Sequence, residues 1–486
     1  MILTGLLLCL APQSPPRPNV VVILADDLGY GDVHANAPGS RLLTPAFDRI
    51  AAEGLRFTDA HSPSAVCSPT RYALMTGRYA WRTRMKSGVL GPYDPPLLGP
   101  EEATLGTLLS GAGYRTAAIG KWHLGLGLPM KEEHGETSIW QGDPGIDFGG
   151  QLSDGPTHHG FERYFGVAAS LDMPPYVFVD DDRFHQLPTV QQARQPFPHF
   201  VREGPRSLDF RLDSALDDLT REAVAFIEEA AAGEAPFFLY FPLTAPHKPT
   251  LPHEHFRGRT GLGEYGDLVA QVDWTVGRVL QALDETGTAG ETLLIVTSDN
   301  GSYMYRRAER EGDHVSDPTA HGYHPDHHRA NGPFRGTKAD IYEAGHRVPF
   351  LVRWPGRVGA GGTCAEPICH VDLFATLADL LGLEAPEGAA PDSVSLAALL
   401  EEPASARRGA PVVHHSGNGT FALREGRWKA IFSTGSGGRE QPRGKPFDGT
   451  RLFDLEADPG ETTDLASEHP EVVRRMTEEL ERLRGD

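Results

Sequence analysis

The sequence predicts an α/β protein with a large, mostly parallel sheet sandwiched by helices, and a smaller C-terminal antiparallel sheet plus helix. Four apolar runs rich in β-branched and aromatic residues have the composition of strands covered on both faces. Stretches with apolar residues at helical spacing lie between these runs. Such alternation is typical of a parallel sheet with helices on both sides. After residue 386 the pattern changes to short alternating runs.

Each of the four predicted strands ends in polar residues. The strands are NVVVILADD (19–27), YRTAAIGKWH (114–123), PFFLYFPLTAPH (236–247) and ETLLIVTSDN (291–300). Ligands of parallel sheets bind beyond the carboxyl ends of the strands. We therefore expect the side chains at these four ends to meet at one edge of the sheet. They are Asp26, Asp27, Lys121, His123, His247, Asp299 and Asn300.

Three helices are predicted between the strands. Residues 41–56 start at a Thr-Pro cap and stop at a glycine, whereas 212–232 and 264–285 repeat apolar residues at helical spacing. The C-terminal region contains the short runs PVVHHS, TFALREGRWKAIFS and RLFDLEAD, and the charged helix PEVVRRMTEELERLRGD closes the chain. We therefore divide the chain into an N-terminal signal and Pro-rich spacer (1–18), a catalytic domain (19–385) and a C-terminal α+β subdomain (386–486).

Composition excludes some classes of partner. The chain has 486 residues, a formal net charge of −21 and a pI of about 5.4. This balance argues against nucleic acid, whose phosphates need a basic surface. An anionic substrate would need a local positive site. We find no transmembrane segment in the sequence.

The N-terminus resembles a secretory signal, because the apolar run MILTGLLLCLAP is followed by the spacer PQSPPRP. We therefore expect export to the periplasm or the extracellular space; a frayed apolar N-terminus is the alternative. The rest of the chain has three cysteines. Cys364 and Cys369 are close enough in sequence to pair in an oxidising compartment. Cys67 would then be unpaired.

The polar residues after the first and fourth strands suggest a metal site. Asp26, Asp27, Asp299 and Asn300 offer only oxygen ligands, which suit Ca²⁺ or Mg²⁺ rather than zinc. Each pair alone could equally be a helix cap or a turn. Two such pairs at the ends of two buried strands favour the metal.

Cys67 lies in the stretch HSPSAVCSPTRYALMTGRY (61–79), between serines, prolines and an arginine. Ser68-Pro69 predicts a helix start with Pro at the first position. Cys67 would then lie at the positive end of the helix, with Arg71 one turn further on the same side. The pattern predicts an anion site and a thiol with a lowered pKa.

The segment around Cys67 resembles that of a known protein family. The segment CSPTR (67–71) is similar to the Cys-x-Pro-x-Arg signature of the formylglycine-dependent sulfatases (arylsulfatase family), which belong to the alkaline phosphatase superfamily. The similarity continues, in the family's order, through nearly the whole chain after the signal. The matching segments are ADDLGYGD (25–32), GKWHLG (120–125), TAPHKP (244–249), TSDNG (297–301), FRGTKADIYEAGHRVPFLVRWPG (334–356) and LFDLEADPGETTDLA (452–466).

The resemblance implies an alkaline phosphatase-like fold and a sulfuric ester hydrolase whose Cys67 is oxidised to formylglycine by a maturase. By position, Asp26, Asp27, Asp299 and Asn300 match the calcium ligands, with the modified residue 67 completing the set. Arg71 would stabilise a diol oxygen of formylglycine, and His123 would accept the proton of the second diol oxygen. Lys121 and Lys338 would hold sulfate oxygens, and His247 with Lys338 would protonate the leaving alcohol. Ser170, in YFGVAASLD, matches a sulfate- or substrate-contacting serine.

The expected substrate is a sulfated carbohydrate or an aryl sulfate. Two alternatives remain at this point: a phosphonate monoester or phosphodiester hydrolase of the same superfamily, and an inactive calcium-bound glycan binder. A long polar insert also precedes FRGTK, and we expect its histidines to lie on a solvated or pocket-lining loop rather than to bind zinc. These histidines are His314, His321, His324, His327 and His328.

Overall fold

The structure, a computed structural model, describes residues 17–131, 145–304 and 328–485. Its strands are β1 (Asn19–Asp26), β2 (Leu55–Phe57), β3 (Ala60–His61), β4 (Arg115–Lys121), β5 (Arg163–Val167), β6 (Val179–Asp180), β7 (Arg183–Phe184), β8 (Pro188–Gln192), β9 (Gly204–Ser207), β10 (Phe237–Pro246), β11 (Thr292–Ser298), β12 (Phe350–Arg353), β13 (Gly362–Cys364), β14 (Ile368–Cys369), β15 (Val412–His415), β16 (Phe421–Glu425), β17 (Trp428–Ile431) and β18 (Arg451–Asp454). Ten of them form one sheet in the order β13-β2-β12-β11-β1-β10-β4-β5-β6-β7.

The helices are α1 (Pro45–Glu53), α2 (Cys67–Thr76), α3 (Leu105–Gly111), α4 (Ala215–Ala231), α5 (Gly263–Glu285), α6 (Glu343–His346), α7 (Leu373–Leu380), α8 (Ala397–Glu401) and α9 (Pro470–Arg484). The three helices predicted between the strands are confirmed as α1, α4 and α5. As predicted, α1 has a Thr-Pro start and is followed by a glycine, Gly54.

Strand β1 lies in the middle of the sheet and pairs in parallel with β10 and β11. All of its residues are buried, because its alternate side chains pack into two different cores. Val20, Val22 and Leu24 face a core shared with α2, α3 and α7. Val21, Ile23 and Ala25 face a core shared with α1, α4 and α5. This explains why the run is continuously apolar rather than alternating.

The predicted large sheet between helices is confirmed, and its centre is parallel as expected. The four predicted strands are β1, β4, β10 and β11, and they pair in parallel. The sheet as a whole is mixed, since β12 runs antiparallel between β11 and β2, and β6 and β7 add an antiparallel edge.

The predicted C-terminal antiparallel sheet is also present, in the order β15-β16-β17-β18, and α9 is its helix. Its apolar residues, such as Leu423 and Leu452, share a core with Met476 of α9 and with Tyr79 and Trp81 of the main α/β region. The C-terminal sheet thus shares a core with Ala73 of α2, the helix that begins at Cys67, and with the segment that follows this helix. The division of the chain at residue 386 stays a prediction.

Cys364 and Cys369 do not form the disulfide that their spacing suggested. Both are buried, unpaired thiols, because they belong to different sheets: Cys364 ends β13 beside β2, and Cys369 ends β14 beside β3. Within the described ranges, no helix has the length and apolar character needed to cross a membrane. Residues 1–16 of the predicted signal lie outside the described residues, as do His314, His321, His324 and His327 of the insert.

Candidate active site

The carboxyl ends of four parallel strands bring the predicted polar residues together at one edge of the sheet. The site residues of β1, β4 and β11, from Asp26 to Asn300, are at most 1% exposed, and His247 after β10 is 6% exposed. Ligand atoms of Asp26, Asp27, Cys67 and His247 lie within 4.8 Å of one another. The sequence motifs therefore converge on one buried cluster.

Within this cluster each carboxylate contacts a cation. Lys121 Nζ donates to both carboxylate oxygens of Asp26, at 2.9 and 2.7 Å. Lys338 Nζ donates to Asp27 Oδ1. Arg71 donates to Asp299 Oδ2 through Nε at 3.1 Å and through a terminal nitrogen at 2.8 Å. Three buried carboxylates thus face three buried cations.

Burial and these cations act in opposite directions on the acids. Burial raises the pKa of Asp26, but Lys121, His247 and Arg71 outweigh it and hold that pKa well below its usual value. Burial, reinforced by the charge of Asp26, raises the pKa of Asp299 to about 6. Burial likewise raises the pKa of Asp27, although Lys338 opposes the shift. An additional cation near Asp27 and Asp299 would stabilise their ionised forms.

The oxygen atoms of this cluster fit a hard divalent cation. Asn300 Nδ2 donates to Asp27 Oδ1 at 2.7 Å, whereas the buried Asn300 Oδ1 has no hydrogen-bond partner among the described residues. An unpartnered buried amide oxygen beside three carboxylates is a ligand atom of the kind that Ca²⁺ and Mg²⁺ bind. The donor set therefore fits the metal that the sequence predicts.

Cys67 is the first residue of α2, so its side chain lies at the positive end of that helix. The helix begins two residues earlier than predicted, and Pro69 occupies its third rather than its first position. Cys67 Sγ lies 3.5 Å from Asp26 Oδ1 and 3.2 Å from Lys338 Nζ. The thiol is therefore directed into the carboxylate cluster.

The prediction of a lowered thiol pKa was wrong. Burial, reinforced by the charge of Asp299, raises the pKa of Cys67 to about 12, although Lys121 and Lys338 oppose the shift. The thiol is 2% exposed, and the desolvation of a thiolate there outweighs the helix end and the nearby cations. As an unmodified thiol, Cys67 would stay protonated and would be a weak nucleophile.

Arg71 is fully buried on α2 and orients the cluster. Besides Asp299, its guanidinium donates to the backbone oxygen of Lys121 at 2.8 Å, and it lies 3.5 Å from Asp26 Oδ1. One side chain thus connects the ends of β1, β4 and β11, which a lysine could not do with the same fixed geometry.

Three residues of this region adopt left-handed backbone conformations without being glycine. They are Asp27 (φ 67°), His123 (φ 56°) and Ala339 (φ 78°), the residue after Lys338. Side chains other than glycine rarely adopt this conformation, and such strained residues concentrate at functional sites. The strain turns the backbone at the end of β1 and after β4, where the site residues stand.

The two histidines line the same cavity, and each holds one ring nitrogen against a backbone oxygen. His123 Nε2 lies 2.9 Å from the backbone oxygen of Leu90, and His247 Nδ1 lies 2.6 Å from that of Lys248. A carbonyl oxygen only accepts, so these nitrogens carry the protons. His123 Nδ1 is then a lone pair, buried and without a partner among the described residues. His247 Nε2 lies 3.7 Å from Asp27 Oδ2.

Both histidines are neutral in this arrangement. Burial and the charge of Lys121 lower the pKa of His123 well below its usual value. Burial and the charge of Lys338 do the same to the pKa of His247. His123 is therefore able to accept a proton at Nδ1. His247 would need a nearby anion to raise its pKa before it could donate from Nε2.

A cavity of about 430 Å³ opens onto Cys67, His123, His247 and Lys338, a volume typical of small-molecule sites. Ser170 lies in its wall, 2% exposed, and its Oγ has no hydrogen-bond partner among the described residues. Sequence reasoning missed several wall residues: Asp172, Arg202, Lys248, Asn418, Arg439 and Arg443.

Two of these residues could have been noticed, because Asp172 and Lys248 lie inside the quoted segments YFGVAASLD and TAPHKP, which also contain Ser170 and His247. The others reach the cavity from distant segments, including loops of the C-terminal sheet. The expectation for the insert histidine His328 was wrong: its side chain is neither solvated nor part of the cavity lining, but is buried and contacts Asp32 Oδ1 at 2.7 Å and Ser40 Oγ at 2.8 Å.

A ten-stranded mixed sheet between helices, with acids, lysines and histidines at the strand ends around a cysteine in the first turn of a helix, defines a hydrolase centre for an anionic ester. Comparison with known proteins identifies the family of this hydrolase. Residues 18–383 match the model of the Sulfatase family, and residues 407–486 match that of the C-terminal region of aryl-sulfatase. The chain belongs to the sulfatase family and is a sulfuric ester hydrolase with an alkaline phosphatase-like fold.

Named relatives of similar identity differ in substrate. The chain is 32% identical to an N-acetylgalactosamine-6-O-sulfatase of Bacteroides thetaiotaomicron, over 97% of this chain and 94% of the relative. It is 33% identical to the steryl-sulfatase of Mus musculus, over 97% and 82%. A solved structure from work on glycosaminoglycan metabolism by Bacteroides thetaiotaomicron superposes with a TM-score of 0.83 at 31% identity, covering 97% of this chain and all of that one.

Proposed function

We propose that this sulfatase hydrolyses the sulfate ester of a carbohydrate, using a formylglycine made from Cys67 and a calcium ion held by Asp26, Asp27, Asp299 and Asn300. The observation that carries the proposal is the position of Cys67 Sγ, within 3.5 Å of both Asp26 Oδ1 and Lys338 Nζ at the mouth of a cavity. Its raised pKa makes the thiol itself unsuited to attack. Oxidation to an aldehyde, whose hydrate has acidic hydroxyls, would supply the nucleophile.

Charge balance supports a divalent ion. The three carboxylates of the cluster are matched by Arg71, Lys121 and Lys338, so a bound Ca²⁺ would leave two excess positive charges. A sulfate ester and an ionised nucleophile would balance them. Asn300 Oδ1, buried and unpartnered among the described residues, would gain a ligand contact. All-oxygen donors favour Ca²⁺ or Mg²⁺, and we propose Ca²⁺.

The protein side chains would divide the proton transfers between them. His247 would donate from Nε2 to the leaving alcohol, because an arriving sulfate anion beside it raises its pKa. Lys338 would hold a sulfate oxygen next to this proton donor. His123 would accept a proton at Nδ1 from the modified residue 67, since the hydrogen bond from its Nε2 to Leu90 fixes the required tautomer.

The remaining predicted residues would bind and orient. Lys121, fixed on Asp26 by two hydrogen bonds, would hold a second sulfate oxygen, and Ser170 would contact the sulfate or the alcohol from the cavity wall. Arg71 would keep Asp299 in place and stabilise the oxygen that attacks sulfur. We assign a carbohydrate substrate because the N-acetylgalactosamine-6-O-sulfatase matches along 94% of its own length.

The N-terminal apolar run and spacer support export to the periplasm or beyond. Modification would then require a maturase that recognises the segment around Cys67 in the producing cell.

The test is a substrate panel with protein produced beside a maturase and loaded with Ca²⁺. The panel contains N-acetylgalactosamine 6-sulfate, N-acetylgalactosamine 4-sulfate, glucosamine 6-sulfate, 4-methylumbelliferyl sulfate, and the matching aryl phosphate and phosphodiester. We expect turnover of at least one sulfated sugar and none by the Cys67→Ala variant. Strong phosphodiester turnover beside negligible sulfate turnover would contradict the proposal, as would an active Cys67→Ala variant.

A further inference from the structure

The wall of the cavity contains a carboxylate to which neither the metal cluster nor the proton transfers assign a role. Asp172 is 1% exposed and lines the same cavity as Cys67. Arg202 donates to its Oδ2 at 2.5 Å, and Lys248 Nζ lies 3.6 Å from the same oxygen. The two cations are about 30% exposed, and both line the same cavity beside the buried carboxylate.

The position of Asp172 is fixed from several sides. The backbone N–H of Arg202 donates to the backbone oxygen of Asp172 at 3.1 Å, and its guanidinium donates to that oxygen at 3.1 Å as well. The Tyr176 hydroxyl donates to the backbone oxygen of Arg202 at 2.6 Å. Phe200 lies beneath both cations, 5.1 Å from the Arg202 guanidinium and 4.6 Å from Lys248 Nζ. The carboxylate is therefore preorganised.

Within the described ranges, the cavity wall holds unpartnered polar atoms, among them the other carboxylate oxygen of Asp172 and the hydroxyl of Ser170. Asp172 Oδ1 is buried and has no hydrogen-bond partner among the described residues, and the same holds for Ser170 Oγ two residues earlier. Buried polar atoms are nearly always hydrogen-bonded, and an unsatisfied carboxylate oxygen is costly. Two such atoms in one cavity wall indicate a ligand that donates hydrogen bonds to them.

We propose that Asp172, flanked by Arg202 and Lys248, forms a subsite for the hydroxyl or amide groups of a sugar ring, and that this subsite restricts the enzyme to carbohydrate sulfates. The inference rests on the carbohydrate sulfatase proposed above and deepens it. Asp172 Oδ1 accepts a hydrogen bond from one ring substituent. Lys248 and Arg202, directly beside it, donate to the oxygen of the same or the neighbouring substituent.

The chemistry of this wall distinguishes sugars from other sulfate esters. A hydroxyl donates and accepts at once, so adjacent hydroxyls match Asp172 Oδ1 together with the two cations that contact Oδ2. An aryl or steroid sulfate would leave Asp172 Oδ1 without a hydrogen-bond donor, and a site built for hydroxyls strongly rejects ligands that lack them. Val89 and Met173 in the same lining provide apolar contact for the C–H face of a ring.

The experiment measures binding, so that it does not depend on turnover. The Ca²⁺-loaded Cys67→Ala protein, with and without Asp172→Asn, is titrated calorimetrically with inorganic sulfate and with the three sulfated sugars of the panel. Inorganic sulfate probes the sulfate-binding residues alone. We expect Asp172→Asn to lower the affinity for the sugar sulfate that binds most tightly by roughly 10- to 100-fold. The affinity for inorganic sulfate should change by less than about 3-fold, the scatter expected for a residue that does not contact the sulfate.

Glu203→Gln is the matched control, since it also removes one carboxylate but lies exposed beside Arg202 outside the cavity lining; it should leave both affinities unchanged. If Asp172→Asn lowered the affinities for inorganic sulfate and for the sugar sulfate equally, the proposed subsite would be wrong and Asp172 would be a structural residue. Sugar sulfates that bind no tighter than inorganic sulfate would also overturn it, while leaving the sulfatase centre intact. Absence of any sulfate binding would instead contradict the proposed function itself.

Discussion

Lys429 offers a quantitative test of how the C-terminal sheet is attached to the active-site region. It is fully buried on β17, and its ammonium donates to Glu343 Oε1 at 3.0 Å. It also makes an ion contact with Glu461 Oε1 at 2.8 Å and lies 3.1 Å from His346 Nε2. Lys429→Met keeps most of the apolar stem and removes only the charge, leaving two buried carboxylates without their ammonium.

Removing one partner of a buried ion pair costs about 3–5 kcal/mol, and we expect a loss of this size at neutral pH. Burial raises the pKa of Glu343, but Lys429, together with His61, His346 and Arg347, outweighs it and holds that pKa well below its usual value. Without Lys429 the pKa of Glu343 would rise, and burial already raises the pKa of Glu461, the second partner of Lys429. A raised carboxyl pKa loses stability as pH increases, so the deficit of the variant should be larger at pH 7.5 than at pH 5.

The assay is urea unfolding followed by tryptophan fluorescence, for which Trp428 on the same strand is a local reporter. Lys445→Met is the matched control, because Lys445 is exposed in a loop of the C-terminal region, and it should change the free energy of unfolding by less than about 0.5 kcal/mol. Adding Glu461→Gln to Lys429→Met should restore part of the loss. A Lys429→Met protein as stable as the control would refute the reasoning, as would a deficit that does not depend on pH.

Three further predictions concern the fold and the metal. Burial raises the pKa of Asp273, which accepts hydrogen bonds from the first turn of α1, to about 7. In urea unfolding, the wild type should therefore lose stability relative to Asp273→Asn as pH rises from about 4 to 7, with a slope of up to about 1.4 kcal/mol per pH unit. Parallel pH profiles of the two proteins would contradict this. Gly120 has φ 128°, and a Cβ there would lie 1.8 Å from Pro242 O, so Gly120→Ala should destabilise the protein by about 3 kcal/mol. Gly113 also has a positive φ (84°) but has open space around it. Gly113→Ala should therefore destabilise the protein clearly less. Chelation with EGTA should lower the melting temperature and abolish sulfatase turnover, and Ca²⁺ should restore both better than Mg²⁺; a melting temperature unaffected by chelation would argue against the metal.

Much of the fold could be predicted from the sequence, because the four central strands are continuous apolar runs. Runs such as β1 are buried on both faces, a pattern typical of the central strands of a sheet between helices. The antiparallel position of β12 could not be predicted, since its apolar composition matches that of its parallel neighbours. The spacing of Cys364 and Cys369 was misleading because separate sheets hold them apart.

The site was predictable where one motif supplies one strand end, and was not where distant segments meet. Asp26 ends β1, and His123 and Asp299 lie within two residues of the ends of β4 and β11, so their convergence follows from parallel topology alone. The thiol pKa of Cys67 depends on how completely the folded chain excludes water from it, which local sequence does not encode. Asp172 was overlooked because its role depends on Arg202, thirty residues later, which contacts one of its oxygens and not the other.

In the proposed reaction the side chain of residue 67 works as an aldehyde hydrate and not as a thiol. The most direct measurement is the mass of the tryptic peptide from Phe57 to Arg71, taken from protein made with and without a maturase, beside the sulfatase activity of each sample. We expect an aldehyde in place of the thiol in the active sample only, with activity proportional to the aldehyde fraction. Full sulfatase activity from protein whose Cys67 is an intact thiol would contradict the account.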